Sequence, residues 1–379
     1  EFISAGAGSG KTFALTEKLE GLLSSGEVQP SGVMATTFTR LAASELQERV
    51  RQKLIQSGQV TTANAMGQAL IGTVNGVCGE LLNRFSFEAG LPPEQKVLEE
   101  SEGGRLFGQA MESVLEGDLD LIRQMNQLAI RLGYVDAQSK RLTWRTEVRR
   151  IVDAARANNT DVSQLDHFAT QSADSLLTHF PKATTRKLSE QLLAALNHAI
   201  AGFDPEVDTT KGSHSYFEML EGVRVGLGHD RLTWPEWIKL SKSGPAKKSA
   251  EIAEPVKEIA RNYDKHPQLH QDLRQFIGHC FSIAGRSMTA FQQLKARLGV
   301  IDFVDQEQCL LELLDNPAVA DTLRSELQLL MVDEFQDTSP IQLAVFVKLS
   351  ELADRVIWVG DIKQSIYGFR GSDPELMLS

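Results

Sequence analysis

The 379-residue chain is 42% hydrophobic and 23% charged, a composition that can bury more than one core. Its 39 Lys and Arg against 50 Asp and Glu leave a formal net charge of −11, which excludes a surface coated in basic charge but allows a local basic groove. No apolar run approaches the roughly 20 residues of a membrane-spanning helix. Cys78, Cys280 and Cys309 are too widely spaced for a disulfide framework or a CxxC metal site, so the expected setting is the cytoplasm, with no membrane partner.

In chain order, Phe2–Ala5 reads as a short buried strand and Phe13 to Leu23 as a helix, with Ala5, Gly6, Ala7, Gly8, Ser9, Gly10, Lys11 and Thr12 at the junction. Small residues let backbone N–H groups turn inward toward the phosphates of a nucleotide. Lys11 adds a point charge, and the Thr12 hydroxyl completes a Mg²⁺ shell. Ala5 stands where the strict pattern has glycine. Val33–Thr37 and Leu70–Val74 are the next strand-like runs.

From about Leu91 to Arg286 the pattern is mostly helical. Leu106, Ala110, Met111 and Val114 fall at helical spacing, as do Leu192, Leu193, Leu196 and Ile200. This stretch reads as a helical domain inserted into an α/β core, which divides the chain into 1–90, 91–286 and 287–379. Thr233 to Glu236, with Pro235, has the spacing of a capping box and predicts a helix start. Arg145, Arg149 and Arg156 share an arc of a predicted helix, readable as a phosphate-tracking stripe or as a solvated face paired with acids. His266 and His270 stand four apart, followed by His279 and Cys280, but no second ligand pair has zinc-site spacing.

Leu329–Val332 then delivers Asp333 and Glu334 to a strand end, where one carboxylate can hold Mg²⁺ and the other can orient or deprotonate a water. Val356–Val359 is a further strand, ending in Gly360-Asp361. Apolar runs alternating with helical patterns predict an α/β fold, a RecA-like P-loop NTPase core with a parallel sheet interrupted by the large α-helical insertion. Its active groups should converge at the C-terminal ends of the strands. Phe38, Tyr367 and Phe369 are either base-stacking platforms or core aromatics.

Asp333-Glu334-Phe335-Gln336-Asp337-Thr338, followed by Gly360-Asp361-Ile362-Lys363-Gln364-Ser365-Ile366-Tyr367-Gly368-Phe369-Arg370-Gly371, resembles the UvrD/RecB-like branch of superfamily-1 helicases, and most closely its RecB and AddA type. Thr36-Thr37-Phe38-Thr39-Arg40-Leu41-Ala42-Ala43 with Glu45-Leu46 is similar to the family's motif Ia. Gly72-Thr73-Val74-Asn75 with Leu81-Leu82 is similar to its next DNA-contacting motif, with Asn75 in place of the customary His. Ile301-Asp302-Phe303 and Asp305 also fit the family pattern. The resemblance covers about the first 90 and last 90 residues.

It implies ATP and Mg²⁺ as cofactors, 3′-to-5′ movement along single-stranded DNA, and action at single-strand/duplex junctions in repair or recombination. Thr12 and Asp333 would hold the metal, Glu334 would activate water, Gln364 would sense the γ-phosphate, and Arg370 would link the nucleotide and DNA sites. Thr37, Phe38, Thr39, Arg40, Thr73, Asn75, Tyr367 and Phe369 would hold the strand, Phe369 standing where the family often has Trp. The family's second motor domain and upstream adenine-reading glutamine are not matched, so the expectation is an N-terminal part of a longer protein, nearly inactive as a motor by itself. Two alternatives are a helicase subunit working with a nuclease or recombination partner, and a nucleotide-binding scaffold without motor activity.

Overall fold

The computed structural model describes residues 1–4, 11–92, 95–229 and 231–360, with the backbone alone for Ser4, Lys11 and Thr12. Its main sheet holds β1 (Phe2–Ser4), β2 (Val33–Thr37), β3 (Leu70–Thr73), β6 (Leu329–Asp333) and β7 (Arg355–Gly360). A two-stranded ribbon pairs β4 (Lys96–Val97) with β5 (Val300–Ile301). The main sheet is wholly parallel, in the order β1-β7-β6-β2-β3. Parallel strands need crossovers and are covered on both faces in the middle of the sheet, which is why the central strands read as apolar runs instead of alternating ones. At the edge, Phe2 of β1, expected to be buried, is 53% exposed, because an edge strand has a neighbour on one side alone.

Between β1 and β3 lie α1 (Lys11–Ser24), α2 (Arg40–Gln56) and α3 (Val60–Ala65), and α4 (Val74–Arg84) follows β3. After β5 come α14 (Phe303–Leu313), α15 (Pro317–Glu326) and α16 (Pro340–Ser350), the last running between β6 and β7. Side chains alternate across each strand, so Val33, Ala35, Leu329, Met331, Ile357 and Val359 pack with Leu15 and Leu19 of α1 and Leu46, Val50 and Leu54 of α2. Met34, Leu330 and Val332 point the other way, into a core with Leu81 and Leu82 of α4, Leu310 of α14 and Phe346 of α16. The result is a sheet with helices on both faces, the predicted α/β class.

The remaining helices are α5 (Glu100–Glu116), α6 (Leu119–Leu132), α7 (Trp144–Ala157), α8 (Leu165–Thr178), α9 (Leu188–Gly202), α10 (Lys211–Gly228), α11 (Trp234–Lys242), α12 (Ala250–Ala260) and α13 (Pro267–Leu298). The chain divides into one unit of 1–108, 153–160 and 291–379, and a second of 109–152 and 161–290. The second unit is helical, and one of its cores joins Leu192 and Leu196 of α9, Phe217 and Leu220 of α10, Trp237 of α11 and Val256 of α12. The capping box is present: Thr233 accepts from the Glu236 N–H, and the Glu236 carboxylate accepts from the Thr233 N–H at 2.8 Å. His266 lies edge-on to Trp234 and Trp237, accepts the Gln268 N–H on Nδ1 and so presents Nε2 to Ser189 at 3.0 Å. His270 Nε2 bonds the Asp264 carbonyl at 2.7 Å.

Helical spacing sets Arg156 on one stripe with Arg145 and Arg149, but the structure buries Arg156 in an ion cluster of the first unit. Its Nη2 lies 2.5 Å from Asp302 Oδ1 and 3.3 Å from Asp305 Oδ1. Lys295, 2% exposed, donates to both carboxylates, at 3.1 Å to Asp302 and 2.5 Å to Asp305. Asp302 and Asp305 also form the reciprocal capping box of α14. Burial would lower the Arg156 pKa and raise that of Asp302; the opposite charges outweigh it, holding Arg156 above and Asp302 below their ordinary values. Arg145 pairs with Glu112 at 3.1 Å and stacks over Trp144. The segment 153–160 therefore belongs with the α/β unit, although it lies inside the helical stretch of the sequence.

Removing one cation leaves a buried carboxylate under-compensated, so Lys295→Met should destabilise the protein by about 3–5 kcal/mol. The exposed Arg297→Met should stay within about 0.5 kcal/mol. Urea denaturation checks both, and equal midpoints for the two variants would contradict a buried cluster.

Candidate functional site

The register of the sheet decides what can meet. Ser4 lies opposite Gly360, Val359 opposite both Ile3 and Asp333, Val332 opposite Thr36, and Thr37 opposite Thr73. The C-terminal ends of all five strands thus lie along one edge. In the sheet order, β7 alone separates β1, which leads toward Lys11 at the start of α1, from β6, which ends at Asp333. At a strand spacing of ~4.8 Å, the ends of β1 and β6 are about 10 Å apart, the scale of a triphosphate with its metal.

Directly after β6 the chain makes a tight turn. Glu334 adopts a left-handed backbone with φ 53° and ψ 42°, a conformation that costs a non-glycine residue about 1–3 kcal/mol and persists only when its surroundings impose it. Here they do. Asp333 Oδ1 accepts the Glu334 N–H at 3.0 Å, and the Glu334 carbonyl accepts the Asp337 N–H at 2.9 Å. The Thr338 hydroxyl donates to the Phe335 carbonyl at 2.6 Å, and Phe335 packs edge-on against Phe2 of β1.

Gln336, 1% exposed, donates its amide to Glu334 Oε2 at 2.6 Å and so orients that carboxylate. A Cβ on Gly360 would collide with Gln336 Oε1 and stand 2.6 Å from Phe335 Cδ1, so β7 approaches this turn more closely than any other residue type allows. Sequence reasoning assigns neither Gln336 nor Gly360 a functional role, although both lie within its motifs. The usable signal is an amide two residues beyond the carboxylate it must aim.

On the other half of the same edge, Thr39 caps α2 by accepting the Ala42 N–H at 3.1 Å, and Thr73 caps α4 by accepting the Gly76 N–H at 3.1 Å. Thr37 is 2% exposed and donates to the Thr39 carbonyl, so its side chain supports the turn and is not presented to solvent. Phe38, at 36% exposure, Thr39 and Arg40 form an exposed group at the start of α2. Asn75 Oδ1 is buried with no hydrogen-bond partner among the described residues. Ala5, Gly6, Ala7, Gly8, Ser9 and Gly10, the side chains of Lys11 and Thr12, and Gln364, Tyr367, Phe369 and Arg370 lie outside what is described.

The donor chemistry at the end of β6 suits Mg²⁺, a hard cation held through one or two carboxylates together with substrate phosphates. Asp333 offers such a carboxylate on a rigid strand end, and Glu334 stands beside it in a fixed backbone.

The whole chain, residues 1–379, matches the family model described as the UvrD/REP helicase N-terminal domain. Similar proteins include an ATP-dependent helicase/nuclease subunit from Natranaerobius thermophilus, 24% identical over 432 residues that cover 100% of this chain and 34% of that protein. A protein of the same description from Streptococcus pneumoniae is 26% identical over 426 residues, covering 99% of this chain and 34% of its own. A third, from S. pneumoniae serotype 4 and described as exonuclease/helicase subunit RexA, is likewise 26% identical over 99% of this chain and 34% of its own. The chain thus spans about a third of the length of these relatives. With the full chain matched and a parallel sheet whose strands end along one edge, it belongs to the UvrD/REP helicase N-terminal domain family.

Proposed function

We propose that this chain is the ATP-binding motor part of an ATP-dependent DNA helicase or translocase that moves 3′-to-5′ along single-stranded DNA and acts in repair or recombination. The observation that carries the reading is the register of the β1–β7–β6 ladder, with Ser4 opposite Gly360 and Val359 opposite Asp333. Ala5 to Gly10, Lys11 and Thr12 would cradle the β- and γ-phosphates of ATP. Thr12 and Asp333 would hold Mg²⁺, which when bound neutralises phosphate charge. Glu334, aimed by Gln336, would take the proton of the attacking water, and Gln364 would report the γ-phosphate, with Arg370 joining this site to the DNA.

Phe38, Thr39, Arg40, Thr73, Asn75, Tyr367 and Phe369 would grip the strand, with Thr37 shaping the turn beneath them. An acidic chain suits a motor that must release each phosphate it holds, since strong non-specific attraction would slow every step. Work beside a nuclease subunit is a second reading, favoured by relatives described as helicase/nuclease subunits. Junctions of single and double strands are the proposed substrates in either case.

The full-length protein should hydrolyse ATP faster when single-stranded DNA is present. Lys11→Ala should weaken nucleotide binding, whereas Glu334→Gln should bind ATP but turn over about 10²–10⁴-fold more slowly, the range of a lost general base. Steady-state ATPase assays and a fluorescent-nucleotide titration separate the two effects, and wild-type turnover in Glu334→Gln contradicts its role.

Gly360→Ala should shift the Phe335–Gln336 turn and lower kcat at least about tenfold, because small displacements of catalytic groups are that costly. The same ATPase assay checks it. Unchanged kcat would mean that the close approach of β7 is irrelevant to turnover.

A further inference from the structure

Glu307, on α14, is 3% exposed, and no lysine or arginine pairs with it among the described residues. Its carboxylate is held instead by Gln342 of α16, whose Nε2 donates to Glu307 Oε1 at 2.6 Å. The other end of that amide is also committed, because Gln342 Oε1 accepts the Ser339 N–H at 3.1 Å and the Ser339 hydroxyl accepts the Gln342 N–H at 3.4 Å. Gln342 therefore bridges Glu307 to the backbone at Ser339, and turning the amide over would lose both bonds. Ser339 follows Thr338, which closes the turn onto Phe335, and Asp337 closes it onto Glu334. One bonded path runs from Glu307 to the left-handed residue at the centre of the candidate site.

A glutamine at position 307 could accept the same bond without the penalty of burying a carboxylate. The groups facing Glu307 are Cys78 from α4, Arg156 from α7, Gln342 from α16 and Asp302 at the cap of its own helix. Burial pushes its pKa up to about 7, with the Gln342 bond and Arg156 pulling down and the Asp302 charge pushing up. In reciprocal fashion, burial and then the Glu307 charge push the Cys78 thiol far above its usual range. A carboxylate poised near neutrality and wired to a strained turn is a costly choice for packing alone.

We propose that Glu307 is a positioning residue for hydrolysis: through Gln342 it fixes the backbone that carries Glu334, and so governs the rate of turnover and not the affinity for ATP. The inference rests on the reading of Asp333 and Glu334 as the hydrolytic pair. Ionised Glu307 makes the stronger, charge-assisted bond, so turnover should rise as pH passes upward through about 7.

The test is the DNA-stimulated ATPase of the full-length protein from about pH 6 to about pH 9, with binding of a non-hydrolysable ATP analogue titrated separately. Glu307→Leu should lower kcat about tenfold or more with analogue affinity unchanged within about twofold. Glu307→Gln keeps only a neutral acceptor, so it should turn over at the wild type's low-pH level across the range and lose the rise near neutrality, while staying faster than Glu307→Leu. Glu307→Leu/Gln342→Leu leaves no orphaned amide and should stay slow. Wild-type kcat in Glu307→Leu, a pH profile of Glu307→Gln superimposable on the wild type, or restored turnover in the double variant would each overturn the proposal. A wild-type protein without ATPase would instead refute the hydrolytic reading, and this inference with it.

Discussion

The parallel hydrogen-bond ladder joining β1, β7 and β6 is the constraint on which the site depends. Its residues come from opposite ends of the chain, so their proximity is a property of the sheet and of nothing local. Phe2 pairs with Trp358 and Ile3 with Val359, while Asp333 pairs with Val359 from the other side. Because parallel strands share one direction, their C-terminal ends face the same crevice. A one-residue slip of β7 would carry its side chains to the opposite face and pull Gly360 away from the turn it touches.

Around that ladder, contacts from several elements hold one unfavourable backbone conformation. The left-handed geometry of Glu334 is opposed by its own sterics and supported by Asp333, Asp337 and Gln336 from within the turn. Phe2 and Gly360 support it from neighbouring strands, and Gln342 from the next helix. Farther out, the Asp302–Asp305 capping box is neutralised by Lys295 and Arg156, which ties the segment 153–160 to the same unit that carries the turn. Burying these charges is tolerable only as a complete set.

The central strands can be read from the sequence because both of their faces are covered. Val33–Thr37 and Leu329–Asp333 appear as unbroken apolar runs, and the polar residues that end them are the candidate functional ones. The helix start at Thr233 is equally readable, since a capping box is local chemistry. Arg156 is not. Its partners lie 146 and 149 positions away, and helical spacing ranks it with Arg145 because periodicity cannot see a distant counter-ion. Thr37 belongs to a DNA-contacting motif by resemblance, yet burial gives its side chain to the fold. Glu307 reads like any charged residue on a helix. Its meaning comes from Gln342, 35 positions away on a neighbouring helix.

The most direct measurement of the central claim is a crystal structure of the full-length protein with Mg²⁺ and a non-hydrolysable ATP analogue. In that complex the metal should lie about 2.0–2.1 Å from its oxygen ligands. Those ligands should include Thr12 and Asp333, directly or through a bound water, with a second water held between Glu334 and the γ-phosphate. A nucleotide bound away from the C-terminal edge of β1, β7 and β6, or a Glu334 carboxylate turned from the γ-phosphate, would contradict it.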